Sequence, residues 1–134
     1  MTKKPRVLDS WAMMAFFENE PSADQVEKIL IDAHANETPL LMSVVNVGEL
    51  WYSITRAHSQ ADADKIVNEL RALKVEFVDA TWELTKQAAQ FKAKGKIAYA
   101  DCFAAALAKD RKAELVTGDP EFKQVEGEVK ILWV

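Results

Sequence analysis

Four acidic residues, far apart in the sequence, follow or interrupt apolar segments. Asp9 comes directly after a short apolar segment, and Asp119 comes two residues after another one. Glu49 and Asp101 lie near the starts of two predicted helices whose other residues are mostly apolar or small. Burying a carboxylate is unfavourable unless its charge is neutralised, so these four residues are the first candidates for chemistry.

The predicted elements bring the four acids to one place. If the apolar segments are parallel strands, Asp9 and Asp119 lie at the same edge of a sheet, because parallel strands end on one side. The helix that carries Glu49 begins at that edge, and Asp101 lies one turn into a helix that would start there. Ligands of open α/β sheets bind at this edge, where the strand order reverses. We therefore predict that the four carboxylates form one cluster.

Clustered carboxylates predict a metal site. Four carboxylates in one pocket repel one another, and some would be protonated unless a counter-charge is present. Oxygen ligands favour the hard cations Mg²⁺ and Mn²⁺. His34 and His58 are predicted to lie on the surface, away from the acids, which argues against zinc. Two such ions, about 3.5–4 Å apart, can activate a water and stabilise the leaving oxygen in phosphodiester cleavage. This chemistry predicts a metal-dependent nuclease.

The alternation of strands and helices predicts the α/β class. Most connections between predicted strands contain helices, often two, which implies a parallel sheet covered by helices on both faces. No repeat, low-complexity tract or Gly/Ser linker interrupts the sequence, so we predict one domain that spans residues 1–134. The predicted strands are 6–9, 39–42, 75–78, 114–117 and 129–134; the predicted helices are 9–17, one that starts at 21–22, 43–58, 61–73, 81–94 and 98–112, with a short helical segment from residue 120.

The sequence also predicts helix caps and residues that lie in the core. Ser22 and Ser43 are predicted N-caps, and Gly95 is predicted to end the fifth helix. The four tryptophans are predicted to lie mostly in the core, although Trp51 and Tyr52 could instead form contacts between two copies of the chain. Helical spacing predicts four apolar residues on the buried face of the fourth helix: Ile66, Val67, Leu70 and Leu73.

Composition narrows the possible functions. The net charge is −4, whereas a dedicated nucleic-acid-binding module is usually strongly basic, so any nucleic-acid role would depend on bound cations. The single cysteine, Cys102, excludes a disulfide within the chain and suits a reducing cytoplasm. No window approaches the roughly 18 apolar residues of a membrane span, and we expect a soluble, cytoplasmic protein with no membrane partner.

Four segments around the acids carry a resemblance to a known family. In their order, spacing and total length they resemble PIN domains, and in particular the VapC-type toxins of bacterial and archaeal toxin–antitoxin pairs. The resemblance covers essentially the whole chain. The segments are 7–10 (VLDS), 46–50 (NVGEL), 98–108 (AYADCFAAALA) and 116–122 (VTGDPEF).

The resemblance implies a Rossmann-like, three-layer α/β/α fold with a five-stranded parallel sheet, and Mg²⁺- or Mn²⁺-dependent cleavage of RNA. It also implies a homodimer and a cognate antitoxin, which commonly inserts a basic group into the acidic pocket. By position, Asp9, Glu49 and Asp101 would be the core metal-binding acids, and Asp119 would be the fourth. The residues that it implies as supporting or water-positioning groups are Ser10, Asn46 and Thr117.

Each candidate also has a purely structural explanation. The three aspartates could each cap a helix or a turn, and Glu49 could pair with Arg56 or Ser53. Cys102, next to one of the acids, is expected to pack in the interior and not to act as a nucleophile. A group of basic residues could hold phosphates beside the pocket or could form an ordinary solvated surface: Arg56, Lys86, Lys92, Lys94 and Lys96.

Two other functions are open at this point. A catalytically silent PIN-like domain used for protein contacts would have the same fold, although the presence of all four acids argues against it. A phospho-accepting receiver domain has a similar size and layer order, but it needs a lysine at the end of the last strand and paired acids after the first. Here Lys130 lies near the start of the last predicted strand and not at its end, and only Asp9 follows the first strand.

Overall fold

Five parallel strands form one sheet in the computed structural model, which describes residues 3–134. In chain order the strands are β1 (Arg6–Leu8), β2 (Leu40–Ser43), β3 (Val75–Val78), β4 (Glu114–Thr117) and β5 (Ile131–Trp133). Across the sheet the order is β3-β2-β1-β4-β5, and every neighbouring pair is parallel. The predicted α/β class and five-stranded parallel sheet are confirmed. The single domain 1–134 stays a prediction, and its residues 1 and 2 lie outside the described part.

Helices connect the strands. They are α1 (Ser10–Phe17), α2 (Ala23–Ala35), α3 (Val44–Ala57), α4 (Gln60–Ala72), α5 (Trp82–Lys94) and α6 (Tyr99–Arg111), with a 3-10 helix at Pro120–Val125. Each of the first three connections contains two helices, as the crossover between parallel strands requires a long connection. Within residues 3–134, no helix combines the length and the apolar character that a membrane span needs.

Each face of the sheet has its own hydrophobic core. On β1, Val7 packs on the side of α5 and α6, whereas Leu8 packs on the side of α1 to α4. Leu115 and Val116 of β4 divide between the same two cores, because successive side chains of a strand point to opposite faces. All four side chains are fully buried, which confirms that helices cover the sheet on both sides.

The strand order reverses between β1 and β4. The chain proceeds from β1 outward through β2 to β3, and then returns across the sheet to place β4 on the other side of β1. Asp9 directly follows β1, and Asp119 comes two residues after β4. Both aspartates therefore stand at the carboxyl ends of the strands beside the reversal, where open α/β sheets bind their ligands.

The structure corrects the predicted ends of some elements. Ser22 does not cap α2, because its backbone is already helical and its side chain makes no capping hydrogen bond. Ser43 does cap α3 through the Val45 backbone N–H, at 3.2 Å, as predicted. Strand β5 has three residues and not six, because its partner β4 offers only a short ladder, from Leu115 to Thr117.

Some side chains predicted to be buried are exposed. Leu73 is 39% exposed, because α4 ends at Ala72 and Leu73 has already left the buried helix face. Trp82 begins α5 and is 68% exposed, and Trp133 lies on the edge strand β5 and is 38% exposed. The prediction that the tryptophans lie mostly in the core was therefore wrong for these two.

Candidate active site

Asp9 is fully buried and holds together the ends of two strands. It is the N-cap of α1, where its Oδ1 accepts a hydrogen bond from the Ala12 backbone N–H at 2.8 Å. Its Oδ2 accepts a hydrogen bond from the Thr117 hydroxyl of β4 at 2.5 Å. The structural alternative for Asp9, a helix cap, is thus observed together with a place among the acids.

The Thr117 hydroxyl also orients Asp119. While it donates to Asp9, it accepts a hydrogen bond from the Asp119 backbone N–H at 3.1 Å. The Asp119 side chain in turn caps the 3-10 helix, because its Oδ1 accepts from the Glu121 backbone N–H at 2.9 Å. One buried hydroxyl therefore fixes two of the predicted acids relative to each other.

Glu49 is joined to the start of α1. The Ser10 hydroxyl donates a hydrogen bond to Glu49 Oε1 across the two helices, so neither of the alternative partners predicted for this glutamate is the one observed. One turn before Glu49, the buried Asn46 side chain donates from Nδ2 to the carbonyl of Ala100 at 3.0 Å. These bonds tie α3 to the helix starts that carry the other acids.

Asp101, Asp119 and Glu121 form a group of neighbouring carboxylates. One carboxylate oxygen from each lies within 4.8 Å of the others. Asp101 is buried at the third residue of α6 and does not cap this helix, because the N-cap is Ala98. Glu121 is exposed on the 3-10 helix. The spacing is suitable for ligands of a shared cation.

An open cleft of about 340 Å³ lies at the carboxyl edge of the sheet. Glu49, Asp101 and Asp119 line it, and the buried Asp9 lies beneath them without access to solvent. The structure therefore gathers the four predicted acids in two layers, three that line the cleft and one below. The other lining residues are Ser10, Trp11, Met14, Glu20 and Ser53.

In the described part of the chain, residues 3–134, the acids have no positive partner. Within residues 3–134, none of the four predicted acids takes part in an ion pair. Burial raises the pKa of Asp9 from 3.8 to about 7, and the charges of Asp119 and Glu49 act in the same direction, against its hydrogen bonds. Burial also raises the pKa of Asp101 to about 8, with the charge of Glu49 as the next cause. The cluster therefore lacks a counter-charge, and without one Asp9 and Asp101 keep their protons up to about neutral pH.

Sequence comparison places this arrangement in a family. A profile of the PIN domain family matches residues 6–128, which include all four predicted acids. The chain belongs to the PIN domain family. No curated protein matches it by sequence.

Several solved structures share the fold of this PIN domain. VapBC2 from Rickettsia felis, bound to a DNA fragment from their promoter, has a TM-score of 0.78 at 17% identity, over 95% of this chain and 96% of that chain. VapBC from Salmonella typhimurium, bound to DNA, has a TM-score of 0.75 at 19% identity, over 98% of each chain. VapC20 from Mycobacterium tuberculosis, a Sarcin-Ricin loop cleaving toxin, has a TM-score of 0.74 at 15% identity, over 93% of this chain and 97% of that chain. At these identities the likeness shows a common fold.

Arg56 and the predicted flanking lysines do not line the cleft of the PIN domain. The guanidinium carbon of Arg56 lies 4.9 Å from the ring centroid of Tyr52, and Arg56 does not line the cleft. It follows Glu49 by two turns, which places it about 10 Å farther along α3. Lys92 and Lys94 bond to groups outside the cleft. The placement of these residues gives no support to their predicted phosphate contacts.

Two acids near the predicted cluster were not themselves predicted. Glu121 follows Asp119 by two residues, and the predicted helical start at Pro120 could have indicated that both side chains stay together. Glu20 lines the cleft from the loop after α1, and no pattern in the sequence marks it. Its position depends on the path of that loop, which hydrophobic periodicity does not specify.

The donors in the cluster fit a hard divalent cation. The facing groups are carboxylates and hydroxyls, the oxygen ligands that Mg²⁺ and Mn²⁺ prefer. His34 is exposed elsewhere, and His58 pairs with Glu18 at 2.8 Å, so neither histidine supplies a nitrogen ligand. A cation would offset the mutual repulsion that helps to raise the pKa values of Asp9 and Asp101.

These pKa values predict how the stability of the metal-free protein depends on pH. The folded state binds protons on Asp9 and Asp101 more tightly than the unfolded state, in which both carboxyls titrate near 3.8. The stability that this tighter proton binding contributes is complete below about pH 4. It is lost as the pH rises through the pKa of folded Asp9, about 7, and of folded Asp101, about 8. With EDTA present, we expect the Tm to fall by roughly 5 °C or more between about pH 5 and about pH 8, as measured by circular dichroism.

Mg²⁺ should reverse this trend. Cation binding requires deprotonated carboxylates, so the increase in Tm that Mg²⁺ produces should become larger as the pH rises. A Tm that is constant with pH in EDTA would contradict the elevated pKa values. A Mg²⁺ effect that is largest at low pH would contradict carboxylate ligation.

Gly118 lies against the wall of the cleft and leaves no space for a side chain. A Cβ at this position would lie 2.2 Å from Cη2 of Trp11 and 2.7 Å from the carbonyl oxygen of Val134. We expect Gly118→Ala to lower the free energy of unfolding by about 1–3 kcal/mol, because the ring or the backbone must move. Gly48→Ala is the matched control, because no neighbouring group lies within 4 Å of its Cβ and a helix interior favours alanine. Urea unfolding should separate the two variants, and equal stabilities would contradict the steric argument.

Proposed function

We propose that this protein is a Mg²⁺- or Mn²⁺-dependent endoribonuclease that cleaves RNA phosphodiester bonds. The observation that carries the proposal is the group of carboxylates at the carboxyl edge of the sheet, which has no positive partner within residues 3–134. Membership of the PIN domain family supports a nuclease. RNA as the substrate is supported by the shared fold with VapC20, a toxin that cleaves the Sarcin-Ricin loop.

The carboxylates would have different roles in cation binding. Glu49, Asp101 and Asp119 would bind them from the cleft, with the exposed Glu121 as a further ligand that the family resemblance did not predict. Asp9 lies below the cleft, and bound cations would favour its ionised form, whose negative charge would in turn help to hold them. When bound, such cations would activate a water and would stabilise the leaving oxygen in phosphodiester hydrolysis.

Hydroxyl groups keep the carboxylates in place without neutralising them. Ser10 donates to one oxygen of Glu49, and Thr117 donates to one oxygen of Asp9. Neither bond introduces a positive charge, so the site keeps its affinity for cations. Groups that are already oriented need no rearrangement when substrate arrives, which favours the transition state. We propose this positioning role for both hydroxyls.

We further propose that the protein is the toxin of a VapBC-like toxin–antitoxin pair in the cytoplasm, and that it forms a homodimer. The shared fold with VapBC2 and with VapBC from Salmonella typhimurium supports the toxin role. The uncompensated acids would attract a basic group of an antitoxin. The predicted dimer contacts remain untested: Trp51 is half-buried and donates to Asp64, whereas Tyr52 is 44% exposed.

Cleavage of RNA by the purified protein tests the proposed activity. We expect fragments with internal cuts when Mg²⁺ or Mn²⁺ is present, and none in excess EDTA, with single-stranded DNA as the comparison substrate. If neither ion supports cleavage and calorimetry detects no Mg²⁺ or Mn²⁺ binding, the protein is instead a catalytically silent PIN domain. Mapping the cut ends in cells that express the protein would then identify the RNA target.

A further inference from the structure

We propose that Trp11 and Met14 form a binding site for a nucleobase next to the scissile phosphate, an inference that rests on the proposed cleavage of RNA. The two residues lie three positions apart on α1, so their side chains share one helix face. Both line the same cleft as Glu49, Asp101 and Asp119. The cleft therefore has one acidic side, for cations and phosphate, and one apolar side.

The Trp11 ring is fixed in position but is not fully buried. Part of it packs against the core on the side of α1 to α4, and its Cζ3–Cη2 edge occupies the space above Gly118. The rest of this half-buried side chain faces the cleft. An aromatic ring that is already held by its neighbours loses little conformational freedom when it binds a ligand.

The indole N–H of Trp11 is available to a ligand. In the part of the chain that the structure describes, it donates no hydrogen bond, whereas the indole N–H groups of Trp51 and Trp133 donate to Asp64 and Glu126. It is also not one of the fully buried polar atoms without a partner in residues 3–134. An accessible donor beside an apolar ring surface suits a nucleobase, which has a flat face and acceptors on its edge.

The position of the two residues favours a base over other ligands. Cations held by the carboxylates would bind the phosphate, and the attached base is the part of RNA that reaches the next wall of the cleft. A base is uncharged, so the acids do not repel it. Proteins that bind single-stranded RNA commonly stack bases on aromatic side chains, and each stacked base raises the affinity by roughly 5- to 150-fold.

Tryptophan fluorescence tests the site apart from catalysis. Short single-stranded RNA is titrated in the presence of Ca²⁺ into the wild type, Trp11→Phe and Trp82→Phe. Trp82 is the matched control, because it is 68% exposed and does not line the cleft. We expect RNA to quench the fluorescence of the wild type and of Trp82→Phe, and the RNA-dependent change to be lost in Trp11→Phe.

Cleavage kinetics give a second measurement. Trp11→Ala and Met14→Ala should raise KM for RNA, by roughly 10-fold or more for Trp11→Ala, with a much smaller change in kcat. Circular dichroism shows whether each variant is folded, and Met14→Ala tests the same wall if Trp11→Ala does not fold.

The outcomes separate this site from the proposed function. Cleavage of RNA by the wild type, together with an equal fluorescence change in Trp11→Phe or with no change in any protein, overturns the base site and leaves the nuclease intact. A change that depends on Trp11 without any cleavage supports the base site and overturns the nuclease. An unchanged KM in folded Trp11→Ala or Met14→Ala also overturns the base site.

Discussion

Asp101→Asn should abolish RNA cleavage and should stabilise the metal-free protein. Asp101 is buried among acids, and burial together with their charges raises its pKa to about 8. The amide cannot replace a carboxylate as a cation ligand, so we expect cleavage to fall by about three orders of magnitude. The amide also carries no charge, so the Tm in EDTA at about pH 8 should rise by roughly 3 °C or more.

Asp110→Asn is the matched control, because it makes the same change on the same helix. The Asp110 side chain is 46% exposed near the far end of α6 and accepts a hydrogen bond from Gln87. This variant should cleave RNA as the wild type does and should change stability by less than about 0.5 kcal/mol. If Asp101→Asn cleaved RNA as fast as the wild type, the assignment of the active site would be wrong. If Asp101→Asn had a lower Tm in EDTA than the wild type, the negative charge of Asp101 would be compensated in the folded protein.

Asp9→Asn and Asp9→Ala should both lose cleavage, by about 100-fold or more, but should differ in stability. An amide oxygen can still accept the hydrogen bond from the Ala12 N–H, whereas alanine leaves α1 without its cap and the buried Thr117 hydroxyl without an acceptor. At about pH 5, where Asp9 is protonated, we expect Asp9→Ala to lose about 2 kcal/mol more stability than Asp9→Asn. Urea unfolding measures this difference.

Ser59→Ala separates the loss of a helix cap from the loss of the site. Ser59 caps α4 through the Asp62 backbone N–H at 3.1 Å, and it does not line the cleft. Its removal should lower stability by up to about 1 kcal/mol and leave cleavage unchanged. Full activity in Asp9→Asn would refute the role of Asp9 in the active site. Equal stabilities of Asp9→Asn and Asp9→Ala would refute its role as the cap of α1.

Hydrophobic pattern predicted most of the fold. Strands β3 and β4 have the predicted bounds, because short apolar runs between helices leave few alternatives. The order of strands across the sheet and the exposure of Trp82 depend on which elements pack together, and a local pattern does not contain this information. Ser22 shows the same limit, because a suitable residue type at a helix start does not guarantee the backbone geometry of a cap.

The sequence predicted which four acids lie together, but it did not predict that one of them lies below the other three. Asp9, Glu49, Asp101 and Asp119 converge because they follow strand ends or helix starts at one edge of a parallel sheet. That Asp9 lies below the other three depends on side-chain direction, which the sequence does not show. The same is true of Arg56, which shares a helix with Glu49 but packs on a neighbouring tyrosine.

The hydrogen bond between Thr117 and Asp9 joins residues that are 108 positions apart in the chain. Strand β4, which carries Thr117, is the fourth to be synthesised, yet it lies beside the first at the centre of the sheet. Until β4 has left the ribosome, β1 has an unpaired edge and the acids lack their common scaffold. A chain still attached to the ribosome therefore lacks a complete cleft for most of its synthesis.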